Sequence, residues 1–144
     1  MKVSEILRQK GAEVVTVRPG ETISTFAHRL RMAHIGAMIV VDEQGHMRGV
    51  ISERDVVHGI AEHGAHCLEM TVGDLMTTRV VSCGPDDNIA RIARLMTENR
   101  IRHLPVLDGG RLAGMVSVGD VVKHRMDEMS LEANVLRDIA TASH

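Results

Sequence analysis

Two short stretches of the chain place a serine and an aspartate at a spacing that either caps a helix or binds a ligand. The first reads GVISERD from Gly49 to Asp55, and the second reads GMVSVGD from Gly114 to Asp120. The pattern is typical of a capping box, in which two side chains satisfy the first free amides of a helix. The same helix N-terminus attracts phosphate, and a carboxylate beside it can accept hydrogen bonds from two hydroxyls of a sugar. The residues alone leave both interpretations open.

The motif occurs twice because most of the chain is duplicated. The segment from Val14 to Asp42 aligns without a gap with the segment from Val80 to Asp108, and the two motifs align after a one-residue deletion. A duplicated unit that packs on itself forms two related clefts about a pseudo-twofold axis. We therefore expect the function to lie in those clefts. Further identical pairs are Pro19/Pro85, Ile23/Ile89, Ala27/Ala93, Ile35/Ile101, Val40/Val106, Ser52/Ser117 and Asp55/Asp120.

Both copies predict the order strand, helix, strand, strand, helix. Apolar residues recur at i, i+3, i+4 and i+7 after Ile23 and Ile89, which predicts amphipathic helices. A brief N-terminal helix is predicted over residues 4–10, and the last helix is predicted to run to about Ala140. The predicted fold class is α/β (α+β), with repeats at 1–66 and 67–125 and a C-terminal helical extension at 126–144. The predicted strands are 14–17, 37–41 and 47–51 in the first copy and 80–83, 104–107 and 112–116 in the second.

Composition narrows the classes of function. Apolar residues make up 44% and charged residues 25% of the chain, as in ordinary globular proteins, and the formal net charge is −2. That charge offers no footprint for nucleic acid or an anionic membrane. The beginning of the chain lacks a signal-peptide pattern, and two cysteines make a disulfide framework improbable. We expect a cytoplasmic protein without a membrane span.

Taken together, these motifs resemble a tandem pair of CBS (cystathionine β-synthase) domains, also called a Bateman module. The resemblance covers roughly residues 1–125 and depends on Val-x-Pro-x-x-x-Ile before the first long helix, IRHLPVLD from Ile101 to Asp108, and both G-x-x-S-x-x-D motifs. It implies a stand-alone, bacterial-type CBS protein. It also implies a regulatory ligand that contains adenine, namely AMP, ADP, ATP, NAD or S-adenosylmethionine.

The resemblance further implies a first cleft built around Asp55. Asp55 would hold the ribose hydroxyls, Ser52 and nearby amides would face phosphate, and the backbone of Val80 and Val81 would meet the adenine edge. Because this cleft gathers Arg54, Arg102 and His103 about one carboxylate, we predict that it binds the more anionic group. The residues assigned to it are Val50, Ser52, Arg54, Asp55, Val80, Val81, Arg102, His103 and Pro105.

A second cleft is implied around Asp120. Gly119, Gly36 and Ala37 stand at the places that carry cations in the first cleft, which leaves Arg18 as its obvious cation. We therefore predict that this cleft is weaker, takes a nucleoside-like ligand or stays empty. The residues assigned to it are Val14, Val15, Arg18, Gly36, Ala37, Met38, Met115, Ser117, Gly119 and Asp120.

Several other histidines and cysteines are candidates for functional groups. His58, His63, His66 and Cys67 have irregular spacing for a zinc site, so we interpret them as solvated linker residues and predict no metal. Cys83, in a predicted strand, is interpreted as a small buried hydrophobe. His103 fits either a ligand contact or a surface imidazole.

Catalysis is not predicted. The chain has no nucleophile elbow, Walker A loop or HExxH motif, and each cleft offers one carboxylate without a paired acid or base. Two alternatives stay open beside the regulatory module: a ligand-free interaction module whose motifs only cap helices, and a small nucleotide-acting enzyme.

The predicted partners are the small ligand, a second copy of the chain and an effector protein that acts in trans. Family members usually pair through exposed helices, so a homodimer is expected. The last helix fits this expectation, since its apolar residues keep a loose helical spacing: Met126, Met129, Val135, Leu136 and Ile139.

Overall fold

The computed structural model describes residues 1–142, and the α/β class predicted from the repeats is confirmed. The predicted extension at 126–144 includes two residues, 143 and 144, that lie outside the described residues. In chain order the elements are α1 Val3–Lys10, β1 Thr16–Val17, α2 Ile23–Ala33, β2 Ala37–Val41, β3 Met47–Ser52, α3 Glu53–His63, α4 Val72–Leu75, α5 Ile89–Asn99, β4 His103–Asp108, β5 Arg111–Ser117 and α6 Val118–Ala142. A 3-10 helix, Gly64–Glu69, links α3 to α4.

The first long helix of each copy begins and ends at equivalent residues. Thr22 caps α2 by accepting a hydrogen bond from the Thr25 amide, and Asn88 caps α5 by accepting one from the Arg91 amide. Both helices end at a residue in the left-handed region, His34 (φ 54°) and Arg100 (φ 53°). Side chains that compete for backbone donors favour the cap position, which explains why Thr and Asn stand there.

The first strand of each copy is shorter than predicted. Only Thr16–Val17 form β1, which pairs in parallel with β2. The prediction of a strand over residues 80–83 is wrong, because within residues 1–142 only Cys83 of this segment joins a ladder, through a parallel bridge to Val106. The preceding Thr77 pairs instead with Val50 of β3. The chain thus crosses from one sheet to the other in this segment, and neither sheet can hold a full strand from it.

Each half of the molecule is completed by a segment that precedes the other repeat. Val3, Ile6 and Leu7 of α1 pack in the core of the second repeat, with Ile92, Leu104 and other residues. Cys67 and Val72, which precede the second repeat, pack in the core of the first repeat with Phe26 and others. We call β1–β3, α2, α3, the 3-10 helix and α4 the first half, and α1, α5, β4, β5 and α6 the second half.

The two halves meet at the turns of their hairpins. The Met47 amide donates to the Gly110 carbonyl over 3.2 Å, and the Leu112 amide donates to the Gly45 carbonyl over 3.0 Å. His46 and Arg111 form an antiparallel bridge there, so β3 and β5 leave the contact in opposite directions. At about 3.3 Å per residue, the six residues to the end of each strand carry the two Ser-x-x-Asp motifs roughly 20 Å from the contact on opposite sides.

Only the beginning of α6 belongs to the packed core. Val121 and His124 are its buried residues, and of the later side chains only Glu128 is even partly buried. Across residues 1–142, no helix has both the length and the apolar content needed to cross a membrane.

Candidate functional site

The first motif forms a complete capping box at the start of α3. The Ser52 hydroxyl accepts a hydrogen bond from the Asp55 amide over 3.4 Å. In return, Asp55 Oδ2 accepts from the Ser52 amide over 2.8 Å and from the Ser52 hydroxyl over 3.1 Å. This geometry confirms the capping interpretation of the motif.

The second motif repeats this arrangement at the start of α6. The Ser117 hydroxyl accepts from the Asp120 amide over 3.2 Å, and Asp120 Oδ2 accepts from the Ser117 amide and hydroxyl over 2.8 and 3.0 Å. The duplicated sequence has therefore produced the same local structure twice.

What differs is the group that the segment ahead of the other repeat brings to each carboxylate. At Asp55 it is the neutral hydroxyl of Thr77, which donates to Oδ1 over 3.4 Å. At Asp120 it is the ammonium of Lys10, which donates to Oδ2 over 2.7 Å and to the Met115 carbonyl over 3.0 Å. Among residues 1–142, nothing donates a hydrogen bond to Asp120 Oδ1, so this oxygen stays available as an acceptor.

The lysine changes the titration of its partner. Partial burial by itself would raise the pKa of Asp120, but the hydrogen bonds from Lys10 and Ser117 and the nearby ammonium charge outweigh it and hold that pKa below its ordinary value. The ionised carboxylate of Asp120 is therefore the form that the second half stabilises.

The glycine that opens each motif leaves room for the segment that precedes the other repeat. We call this the crossing segment; it contains Thr77 at the first motif and Leu7 and Lys10 at the second. A Cβ on Gly49 would lie 2.5 Å from the carbonyl oxygen of Thr77, and one on Gly114 would lie 2.7 Å from a methyl group of Leu7. Both distances are well below van der Waals contact. A side chain at either position would push the crossing segment away from its carboxylate.

Arg102 and His103 lie beside the second motif in the sheet. Because β4 and β5 form an antiparallel hairpin, His103 faces Ser117, and the Val118 amide donates to the Arg102 carbonyl over 2.9 Å. The backbone of both residues therefore belongs to the half that carries Asp120. Their part in the Asp55 cleft stays a prediction.

The matching residues of the first repeat lie beside the first motif in the same way. Ala37 faces Ser52, Met38 faces Ile51, and the Glu53 amide donates to the Gly36 carbonyl over 2.9 Å. The part of Gly36 and Ala37 in the Asp120 cleft stays a prediction.

Two of the assigned side chains are buried in the protein interior. Met38 is 2% exposed within the core of the first half. Pro105 is buried in β4, and its carbonyl accepts from the Cys83 amide over 3.0 Å. These two side chains pack inside the protein and do not face a cleft.

The remaining assigned residues lie close to the chain surface. Val15 is 46% exposed, whereas Val81 packs against the core of the second half. The contact between Thr77 and Val50 brings the segment that leads to Val80 next to β3. Exposed residues of the set are Arg18, Arg54, Arg102, His103 and Gly119, and half-buried ones are Val14, Val50, Val80 and Met115.

An open cavity of about 570 Å³ lies at the first motif. Its lining residues are Gly36, Ser52, Glu53, Arg54 and Val57, which unites residues that the sequence had divided between two clefts. The missing side chain of Gly36 leaves space beside the Glu53 carboxyl group, whose carbon a Cβ would approach to 3.7 Å. A larger cavity of about 730 Å³ continues from it along α2.

The charges near the two motifs differ. Glu53 and Arg54 follow Ser52, whereas Val118 and Gly119 follow Ser117. Asp120 has the ammonium of Lys10 against it, and the backbones of Arg102 and His103 lie beside Val118 and Ser117. Lys10 is a cation that the predicted order of the two clefts did not include.

Sequence reasoning missed Lys10 and Thr77. Both residues stand just ahead of a repeat, at the end of a short helical segment that packs on the opposite half. The signal that could have found them is the glycine of each motif, because a strand glycine often marks a close approach of another backbone.

Comparison with known proteins agrees with this architecture. The sequence profile of the CBS domain matches residues 3–62 and 72–127. The chain belongs to the CBS domain family. It is 32% identical to the mitochondrial CBS domain-containing protein CBSX3 of Arabidopsis thaliana, over 92% of this chain and 71% of that protein.

Solved structures of CBS proteins share the fold of this CBS pair. The CBS-domain containing protein ATU1752 of Agrobacterium tumefaciens is 42% identical, with a TM-score of 0.74 over 86% of this chain and 92% of that one. CBSX2 in complex with AMP is 25% identical, with a TM-score of 0.74 over 89% of this chain and 98% of that one. The names of these three relatives describe no reaction.

The cysteines of this CBS pair are structural. Cys67 is fully buried and its thiol lies 3.9 Å from the Val56 carbonyl, so its interpretation as a solvated linker residue is wrong. Burial, with the nearby charge of Asp87, raises the pKa of the Cys83 thiol to about 11, and its interpretation as a small buried hydrophobe is confirmed. His58, His63 and His66 are exposed. Residues 1–142 contain no group of three or more His, Cys, Asp or Glu that could hold a metal.

Proposed function

We propose that this CBS pair is a regulatory module that binds an adenine-containing ligand at its Ser-x-x-Asp motifs. The observation that carries the proposal is the second motif, where a carboxylate with an open oxygen stands at a helix N-terminus beside the ammonium of Lys10. Such a place suits a ribose joined to a phosphate, because the carboxylate takes the hydroxyls and the ammonium takes the anion. The AMP complex of CBSX2 supports the choice of ligand class.

In this proposal the Asp120 cleft takes the more anionic ligand, such as AMP, ADP or ATP. Asp120 Oδ1 accepts from the ribose hydroxyls, and Lys10, Arg102 and His103 face the phosphates. Hydrogen bonds to charged groups contribute about 1.5–3 kcal/mol each. Lacking tryptophan and tyrosine, the chain must hold the base with aliphatic side chains, for which Val14 and Val15 are candidates.

The Asp55 cleft takes a less anionic ligand in this proposal, such as S-adenosylmethionine or a nucleoside. Glu53 and Arg54 line its cavity together, so their charges offset each other there. NAD, with one adenosine and a bridging diphosphate, remains a candidate for the Asp120 cleft.

The output of the module is regulatory and not catalytic. A ligand that contacts both halves shifts their relative position by the difference between its affinities for two states, typically about 1–3 kcal/mol. A protein that acts in trans would respond to that shift. The cytoplasmic location of the protein stays a prediction, and so does the absence of a nucleic-acid or membrane partner.

The test depends on the very weak near-ultraviolet absorbance of the chain. With no tryptophan or tyrosine, adenine absorbance of the purified protein reports bound nucleotide directly, and mass spectrometry identifies it. We expect AMP or ATP to raise the melting temperature, and Asp120→Ala to abolish that shift. Asp74→Ala is the matched control, because it removes the equivalent capping-box carboxylate of α4, which is assigned to neither cleft.

A second candidate function is the ligand-free interaction module. It is favoured by one observation, namely that both capping boxes are complete without a ligand. A protein without adenine absorbance, whose melting temperature does not respond to AMP, ATP, NAD or S-adenosylmethionine, would select this function. Product formed from any of these compounds would instead indicate the enzyme.

A further inference from the structure

Lys10 holds the carboxylate that would receive the ribose. Its ammonium donates to Asp120 Oδ2 over 2.7 Å and to the Met115 carbonyl over 3.0 Å. A lysine ammonium carries three donors, and within residues 1–142 the third finds no acceptor. Asp120 Oδ1 likewise receives no hydrogen bond from these residues. A ligand at this ion pair therefore meets one open acceptor and one open donor.

The backbone fixes Lys10 in this place. It is the last residue of α1, and Leu7, about one turn earlier, is 9% exposed in the core of the second half. Just after Lys10, the Gly11 amide donates to the Leu7 carbonyl over 2.8 Å. Gly11 has a φ of 97°, a conformation that glycine adopts without strain. Packing and this cap define the end of α1, so the ammonium is in position before a ligand arrives.

An open acceptor and an open ammonium donor in one ion pair suit a ribose that carries a phosphate. The two hydroxyls of a ribose are on adjacent carbons, so when the carboxylate accepts from one, the group on the next carbon lies close to the ammonium. A phosphate there gains a charge-assisted hydrogen bond, which is roughly twice as strong as a neutral one. Dinucleotide-binding domains use related chemistry, in which a carboxylate holds the 2′-hydroxyl of NAD and a nearby arginine accommodates the 2′-phosphate of NADP.

The first motif lacks this combination. There Thr77 brings a neutral hydroxyl, which donates to Asp55 Oδ1 over 3.4 Å, and within residues 1–142 no cation pairs with Asp55. Glu53 adds a second carboxyl group to the cavity at this motif. A phosphate on a ribose at Asp55 would meet an uncompensated carboxylate, which opposes its binding. The Asp55 cleft is therefore an internal reference, because it has the same capping box without a cation on the carboxylate.

We propose that Lys10 makes the Asp120 cleft select an adenosine ligand with a phosphate on its ribose, as in NADP or 2′-AMP, over the same ligand without it. The inference rests on the proposed function, since adenosine has to bind at Asp120. It adds the residue that determines specificity and narrows the ligand class to adenosines phosphorylated on the ribose. The ammonium neutralises the carboxylate and also donates to the phosphate, so one residue performs both parts of the selection.

Isothermal titration of the full chain with two matched pairs of ligands tests the selection. NADP differs from NAD, and 2′-AMP from adenosine, by the ribose phosphate alone. We expect the phosphorylated member of each pair to bind wild type about tenfold or more tightly, because it gains a charge-assisted hydrogen bond. Asp120→Ala should abolish this preference and Asp55→Ala should preserve it, which assigns the preference to one cleft.

Variants of Lys10 test the residue itself. Lys10→Met keeps most of the side-chain volume without the charge, and it should bring the affinity for NADP down to the affinity for NAD. Lys10→Arg keeps the charge and should keep the preference for NADP. Lys2→Met is the matched control, because Lys2 stands at the other end of α1, pairs with Asp86 across 3.8 Å and is assigned to neither cleft.

The outcomes separate this inference from the proposed function. A wild type that binds AMP or NAD but binds NADP no more tightly than NAD refutes the inference and leaves the proposed function standing. A preference for NADP that survives in Lys10→Met also refutes it, even if both ligands bind that variant more weakly. A wild type that binds none of these compounds refutes the inference and the proposed function together.

Discussion

The two Ser-x-x-Asp motifs form the same capping box but have different neighbours. Both cap a helix through the same hydrogen bonds, yet Asp55 meets the hydroxyl of Thr77 and Asp120 meets the ammonium of Lys10. The cap depends only on residues inside one repeat. The charge at each carboxylate depends on the segment that precedes the other repeat, and so it could diverge without disturbing the cap.

The largest expected difference lies in the glycines that admit those segments. Gly49→Ala places a methyl group against the Thr77 carbonyl, which is fixed by two backbone hydrogen bonds with Val50. Gly114→Ala places it against the side chain of Leu7, which can adopt another rotamer. We expect losses in the free energy of unfolding of about 2–4 kcal/mol and about 1–2 kcal/mol respectively.

Urea unfolding followed by circular dichroism measures both losses. Gly20→Ala is the control, since its Cβ would meet nothing within 4 Å and should change stability little. If Gly114→Ala proved the more damaging of the two, the crossing segment at Asp120 would be the more rigid one, contrary to the contacts described.

The next difference concerns ligand affinity. If the Asp120 cleft takes the anionic adenylate, Arg102→Ala should weaken AMP binding about tenfold or more, because a charge-assisted hydrogen bond is lost. Arg54→Ala should leave the AMP affinity nearly unchanged. Isothermal titration decides the matter, and the reverse order would restore the original assignment of the anionic ligand to the Asp55 cleft.

Much of the fold was predictable because its determinants are local. The apolar spacing after Ile23 and Ile89 gave both long helices, and the turns after Asp42 and Asp108 gave both hairpins. The Ser-x-x-Asp caps were likewise predictable, since every hydrogen bond of the box lies within four residues.

The composition of the clefts was less predictable because it depends on non-local packing. Nothing in the pattern around Lys10 says that its ammonium reaches a carboxylate more than a hundred positions away. The place of Arg102 and His103 in the sheet is a different case. The hairpin itself was predicted, and its antiparallel pairing already puts His103 beside Ser117.

The caps themselves should behave alike. Ser52→Ala and Ser117→Ala each remove one hydroxyl that accepts a helix amide, and each should cost about 1 kcal/mol of unfolding free energy. Equal losses of unfolding free energy in the two variants would mean that the two motifs differ only in their crossing segments. A loss at Ser117 that clearly exceeded the loss at Ser52 would show that Lys10 reinforces the cap as well as the charge.

The smallest expected effect is the pH dependence that Lys10 confers. The pKa of Asp120 lies below its ordinary value in the folded chain, so its stabilisation is complete above the unfolded-state pKa, near 3.9, and is lost as the pH falls through the folded-state pKa. Lys10→Met removes the main group that lowers this pKa. Because Lys10 is 36% and Asp120 19% exposed, solvent screens the pair, and the variant should lose only about 0.5–1 kcal/mol at neutral pH. That difference from wild type should shrink as the pH is lowered into the acid range, in urea unfolding measured at a series of pH values. Lys10→Arg, which keeps the charge, should follow the wild-type profile. A constant difference between Lys10→Met and wild type at every pH would mean that the lysine contributes through packing of its methylene chain on the second half and not through its ion pair.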